Sequence, residues 1–190
     1  TCIKPSGTVS QLCDSASGIH ARHSDYYIRR VRMDNKDPLC KFMVKKGFSY
    51  EQDIANPTNT VFAFPMKSPK ESMKRTSMSA LEQLELWRTY SVYYCEHKPS
   101  VTISVKENEW LDVGTWVYTN FGVVSGISFL PFSDHNYIQA PFEDCTEKEY
   151  KQLIKKVPSV DWKELTNYEK EDYTTSSQEL ACVGNSCELL

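Results

Sequence analysis

Runs of β-branched and aromatic residues alternate with amphipathic helical runs along this chain, and that alternation limits the folds open to it. The strand-like runs are "DYYIRRVRM" (25–33), "NTVFAFPM" (59–66), "SVTISV" (100–105) and "ISFLPF" (127–132). Between them, helical spacing recurs at Leu39, Phe42, Met43 and Lys46, at Leu81, Leu84, Trp87, Ser91 and Tyr94, and at Trp110, Val113, Val117 and Phe121. Two capping boxes mark helix starts, Ser79-Ala-Leu-Glu82 and Thr146-Glu-Lys-Glu149, the second opening "KEYKQLIKKV". Punctuation is placed to match: Gly18 stops a short helix after "KPSGT", Pro65 ends the second strand, and Pro99 ends the long helix. The class predicted is α/β, with at least part of the sheet parallel.

Composition narrows the function classes. With 190 residues, 40% hydrophobic and 25% charged, the chain suits one domain or part of a larger one. A net charge of −3 gives no electrostatic footprint for nucleic acid. No apolar run approaches the ~20 residues of a membrane span, and "TCIKPSGTVSQ" lacks the layout of a secretory signal. Thr1 stands where an initiator Met would, so a fragment, a processed product or an excised piece is expected. Seven scattered cysteines make an odd set, unlike a disulfide scaffold. A reducing, cytoplasmic setting is expected, with most thiols buried as small hydrophobes.

Three features carry chemistry. In "KPSGTVSQL", Ser6, Thr8 and Ser10 supply hydroxyls, and the amides of Gly7, Thr8 and Val9 lie at a helix start. Such a turn takes phosphate; the same residues also serve as a plain N-cap. At the end of the chain, "CVGNSC" places Cys182 and Cys187 on an acidic, Ser/Thr-rich stretch that reads as a mobile tail. A dithiol there suits thiol–disulfide exchange, against a zinc half-site or two incidental thiols. The cluster "GIHARHSDYYIRRVRM" holds His20, Arg22, His23, Arg29, Arg30 and Arg32. It faces either an anionic ligand or, the preferred reading, water along one side of a strand. Residues 67–78 read as a basic, Ser-rich loop.

Taken in order, "TCIKPSGTVSQLCDSASGIHARHSDYYIRRVR", "QLELWRTYSVYYCEHKPSVTISVKENEW", "ISFLPFSDHNYIQAPFEDCTEKEY" and the terminal "CVGNSC" resemble the C-terminal part of adenosylcobalamin-dependent (class II) ribonucleotide reductases, nearest the monomeric type that reduces ribonucleoside triphosphates. The resemblance implies the C-terminal portion of a ten-stranded α/β barrel over 1–165, followed by a redox-active tail over 166–190. It implies that Ser6, Gly7, Thr8, Val9 and Ser10 bind the phosphates of a ribonucleotide substrate. It implies adenosylcobalamin, bound by the complete enzyme, as the source of a thiyl radical on a barrel-loop cysteine. Two further cysteines of the barrel then end each turnover as a disulfide. Cys182 and Cys187 match the tail pair that re-reduces that disulfide and is itself reduced by thioredoxin.

The radical cysteine, its partners and the effector region lie upstream of Thr1 in that family, so activity is expected to need the upstream part of the reductase. A gene split, or a spliced-out element, at the phosphate loop is one origin of such a chain. The competing reading is a stand-alone nucleotide-binding or thiol-exchange module without radical chemistry.

Overall fold

The computed structural model describes residues 1–7, 9–132 and 138–170. Its elements in chain order are α1 (Val9–Leu12), β1 (Tyr26–Asp34), α2 (Pro38–Lys45), β2 (Tyr50–Gln52) and β3 (Asn59–Lys67). There follow α3 (Ala80–Tyr93), β4 (Val101–Val105), α4 (Trp110–Thr119), β5 (Ile127–Pro131), β6 (Phe142–Asp144) and α5 (Glu147–Ile154). Short 3-10 helices occupy Glu107–Glu109 and Trp162–Asn167. The described residues fall into two compact units, one from Thr1–Asp25 and Ser68–His135, the other from Tyr26–Lys67 and Asn136–Leu190.

The first unit is built on a parallel pair, β4 beside β5, in register from Val101 against Ile127 to Val105 against Pro131. Parallel neighbours need a crossover, and α4 supplies it. Alternation along β4 buries Val101, Ile103 and Val105 against Ala80, Leu84 and Trp87 of α3 and Val113 of α4. The Ser79 box forms as expected, with Oγ accepting from the Glu82 amide. The buried face of α3 is narrower than its spacing predicts, because Leu81 is 36% and Tyr94 54% exposed. Phe121 lies beyond the end of α4 and is exposed, so α4 buries Val113 and half-buries Trp116 and Val117. Gly126 enters β5 at φ +68°, where a Cβ would stand 2.6 Å from the Pro99 carbonyl oxygen; only glycine fits.

In the second unit the sheet has the order β2-β3-β1-β6, and each neighbouring pair is antiparallel. The expected parallel pairing is thus confined to β4–β5. A helix between two strands implies parallel pairing only when it spans a full crossover. Here α2 has eight residues, and β2 folds back as a hairpin strand on β3, which returns the chain antiparallel to β1.

Pro65 does not end β3, which runs on to Lys67. The Ala63 amide points to the β2 side, donating to the Ser49 oxygen at 3.4 Å. Pro65, two residues on, turns the same way but lies beyond the reach of β2, so no ladder bond is lost. The core of this unit gathers Cys40, Phe42, Met43, Phe48 and Phe62. Leu165 and, inside the stretch 166–190 expected as tail, Tyr168 pack on it; the Tyr168 ring meets Phe42 edge-on at 5.4 Å. The Thr146 capping box opens α5 as expected.

Candidate functional site

The turn before α1 is held from below. The Ser6 amide donates to Ser17 Oγ at 2.9 Å, and Ser17 Oγ–H donates back to the Ser6 carbonyl at 2.9 Å. Gly18, at φ +60°, lies against the backbone of Lys4 and Pro5, where a Cβ would meet the Lys4 oxygen at 3.0 Å. The preceding residues lie along the segment ahead of β4: Thr1 contacts Glu96 and Tyr94, and Lys4 Nζ donates to Ser100 Oγ at 2.6 Å. The loop therefore rests on both the returning segment at Ser17–Gly18 and the entry to β4.

Within the loop the five candidate residues play unlike parts. Ser6 Oγ accepts from the Ser10 amide at 3.1 Å, which ties the turn to the first residues of α1, and its hydroxyl proton remains available to an acceptor. Gly7 is exposed, and a Cβ placed there would meet no heavy atom within 4 Å; Val9 is exposed as well. Ser10 is turned inward: it is 3% exposed and its Oγ has no hydrogen-bond partner among the described residues. Thr8 lies outside the described residues. α1 has four residues, so the dipole expected of it is small, and what the turn offers an anion is amides and hydroxyls.

The basic cluster is divided between the two units. His20, Arg22 and His23 belong to the first unit, and Arg29, Arg30 and Arg32 to the second. Arg22 is buried, 3.0 Å from Asp14 and 3.3 Å from Gln11 Oε1. The strand arginines are not the solvated face expected of them. Arg30 pairs with Glu143 at 2.5 Å, Arg32 pairs with the buried Asp53 at 3.2 Å, and Arg29 lies 5.1 Å over the Phe142 ring. Burial lowers the Arg29 pKa, with Tyr27 opposing. These charges are spent on holding β1 to its neighbours. Buried Gln139 joins them: its carbonyl accepts from Arg32, and its side-chain amide donates to the Gln52 carbonyl and Glu51. Nothing in the sequence marked it, since its role comes from contacts distant along the chain.

Of the described cysteines, Cys40 is buried, Cys95 and Cys145 half-buried, and Cys2 and Cys13 exposed, so burial is less general than expected. Desolvation raises the pKa of both Cys40 and Cys145, and Glu149, Asp144 and Glu143 push Cys145 further up. Both stay protonated and poorly nucleophilic. Cys182 and Cys187 lie outside the described residues.

Cys145 lines a cleft of about 210 Å³ in the second unit, with Glu143, Asp144, Glu149 and Lys156. Three carboxylates there disfavour a phosphate ligand. Drug-sized ligands take about 300–1,000 Å³, and a corrin cofactor is larger still, so this cleft does not fit one. Among the described residues no group of His, Cys, Asp and Glu could hold a metal ion, and no helix is long and apolar enough to cross a membrane.

No family model matches the chain. It is 33% identical over 196 residues to a probable adenosylcobalamin-dependent ribonucleoside-triphosphate reductase of Dictyostelium discoideum, covering 100% of this chain and 25% of that protein. It is 31% identical over 160 residues to the adenosylcobalamin-dependent ribonucleoside-triphosphate reductase of Euglena gracilis, covering 83% and 22%. The chain thus spans about a quarter of the length of the curated relatives it matches. In fold it is similar to a crystal structure of a B-12 dependent (class II) ribonucleotide reductase, with a TM-score of 0.72 at 24% identity over 90% of this chain and 24% of that one.

Proposed function

This chain is a relative, over its whole length, of adenosylcobalamin-dependent ribonucleoside-triphosphate reductases, and we propose that it is one part of such an enzyme, reducing ribonucleoside triphosphates to 2′-deoxyribonucleotides by thiyl-radical chemistry. The observation that carries the reading is the 33% identity extending over 100% of the chain. In this reading the two units contribute the C-terminal portion of the catalytic barrel, and the rest of the reductase contributes the remainder. Adenosylcobalamin, bound by the complete enzyme, supplies the radical. The cleft described above does not fit it, and no residue of this chain is assigned to hold it.

The part assigned to this chain is binding and re-reduction. Ser6, Gly7, Thr8, Val9 and Ser10 form the phosphate loop. The open position at Gly7 lets phosphate oxygens approach the backbone, and Ser6 and Thr8 donate from their hydroxyls. Cys182 and Cys187 act after the chemistry. One tail thiolate attacks the active-site disulfide, the other resolves the mixed disulfide, and two electrons with two protons pass inward. The tail disulfide is then reduced by the dithiol of thioredoxin.

Complementation tests the whole reading. The 190 residues, combined with the remainder of the reductase, ribonucleoside triphosphate, adenosylcobalamin and a dithiol, are expected to form deoxyribonucleotide; alone they are expected to form none. Product from this chain alone would overturn it, and no product from the combination would overturn it in favour of the stand-alone module.

The loop has its own test. A hydrogen bond to a charged group contributes about 1.5–3 kcal/mol, so Ser6→Ala and Thr8→Val are expected to weaken nucleotide binding by about tenfold or more. Isothermal titration reads this directly. Lower thermal stability with unchanged affinity would mean that Ser6 only holds the start of α1 and binds no phosphate.

A further inference from the structure

His20 bridges the loop and the sheet, and its two ring nitrogens have different partners. Nδ1 lies 2.7 Å from the Ser17 carbonyl oxygen, and Nε2 accepts from the Thr102 amide of β4 at 2.9 Å. A carbonyl only accepts and an amide N–H only donates, so the partners select one form of the ring: neutral, protonated at Nδ1. Ser17 is also the residue whose hydroxyl grips both the amide and the carbonyl of Ser6. A single path of hydrogen bonds therefore runs from β4 through His20 and Ser17 to Ser6.

The β4 end of this path is rigid. Alternate amides of β4 face β5, and those of Thr102 and Ser104 face the other way. The Thr102 amide is taken by His20, and the Ser104 amide donates to Gln83 Oε1 of α3 at 3.3 Å. Side chains thus occupy a strand edge that would otherwise present unpaired groups. β4 itself is packed on Trp87 and Leu84, both fully buried. The loop end is different in kind: Gly7 and Val9 are exposed, and α1 has four residues. A turn this short cannot hold its own shape; it takes its position from what it is tied to.

We propose that His20 is a positioning residue for phosphate binding, fixing Ser6 to β4 through Ser17. The inference rests on the phosphate-loop reading above. The hydrogen bonds of Nδ1 and Nε2 point away from one another, so a single rigid side chain joins the Ser17 and Thr102 backbones.

The test uses the complete reductase containing this chain, with His20→Ala, Ser17→Ala, the double variant, and Ser6→Ala as reference. A ribonucleoside triphosphate is the probe, and affinity, kcat and amide hydrogen exchange are read together. His20→Ala is expected to weaken binding about tenfold, as for loss of one hydrogen bond that orders a ligand contact. Its kcat at saturating substrate should be unchanged, which separates positioning from chemistry. Exchange at the Ser6 amide should quicken, while exchange along α3 should not, showing the first unit intact. Ser17→Ala should match it, and the double variant should be no weaker than either single, because both break one path. Additive losses in the double variant would overturn the inference. So would unchanged affinity in His20→Ala when Ser6→Ala binds weakly, and that result would leave the loop reading standing. Unchanged affinity in Ser6→Ala as well would overturn the loop reading and this inference with it.

Discussion

Cys182→Ser or Cys187→Ser in the complete reductase is expected to leave the first turnover intact and to stop thioredoxin-driven turnover after about one cycle, because a lone thiol can attack the active-site disulfide but has no partner to resolve the mixed disulfide. The pre-reduced active-site pair supplies the electrons for that first cycle, so a single-turnover assay should show normal product. A small dithiol that diffuses to the active site should restore part of the rate. Truncation after Tyr173 should behave alike. Wild-type rates with thioredoxin in either serine variant would remove the shuttle role. Cys40→Ser and Cys145→Ser make useful controls, since burial keeps both thiols protonated and neither is assigned to exchange.

The largest effect on stability is expected at Trp87. Its side chain is 0% exposed, its indole N–H donates to the Pro99 carbonyl at 3.3 Å, and its ring meets Trp116 edge-on at 6.5 Å. Truncating a buried tryptophan to alanine costs about 3–5 kcal/mol through lost burial and the cavity left behind. The Pro99 carbonyl also loses its donor. With a urea m-value of about 1–3 kcal/mol/M, the midpoint of the first unit should fall by more than about 1 M. Trp87→Phe should lose less, since it keeps most of the ring. A midpoint within error of wild type for Trp87→Ala would mean that α3 does not form the core of this unit.

Local chemistry made much of this architecture legible. Both capping boxes form as read, since a cap needs only residues three apart. β1, β3, β4 and β5 lie where the β-branched and aromatic runs place them. The candidate loop was also readable, because "KPSGTVS" carries its hydroxyls and its glycine within a few residues. The resemblance added what no local pattern holds, namely a role for the loop and a reason for two thiols on the tail.

What local chemistry left open was every question settled by distant partners. β2 and β6 are three residues each, too short to leave a period, and exist because β3 and β1 offer edges to pair with. The run of Arg29, Arg30 and Arg32 looks like a solvated face until Glu143, Asp53 and Phe142 arrive from far along the chain. Pro65 reads as a strand end because sequence does not show which flank of β3 is empty. His20 reads as one more basic residue, whereas its partner in β4 is 82 positions away. Propensity, caps and turns are decided within a few residues, so the sequence by itself determined where elements begin and what the loop is made of. Pairing direction, strand neighbours and the partners of buried polar groups depend on segments brought together only by folding, and these the tertiary structure alone decided.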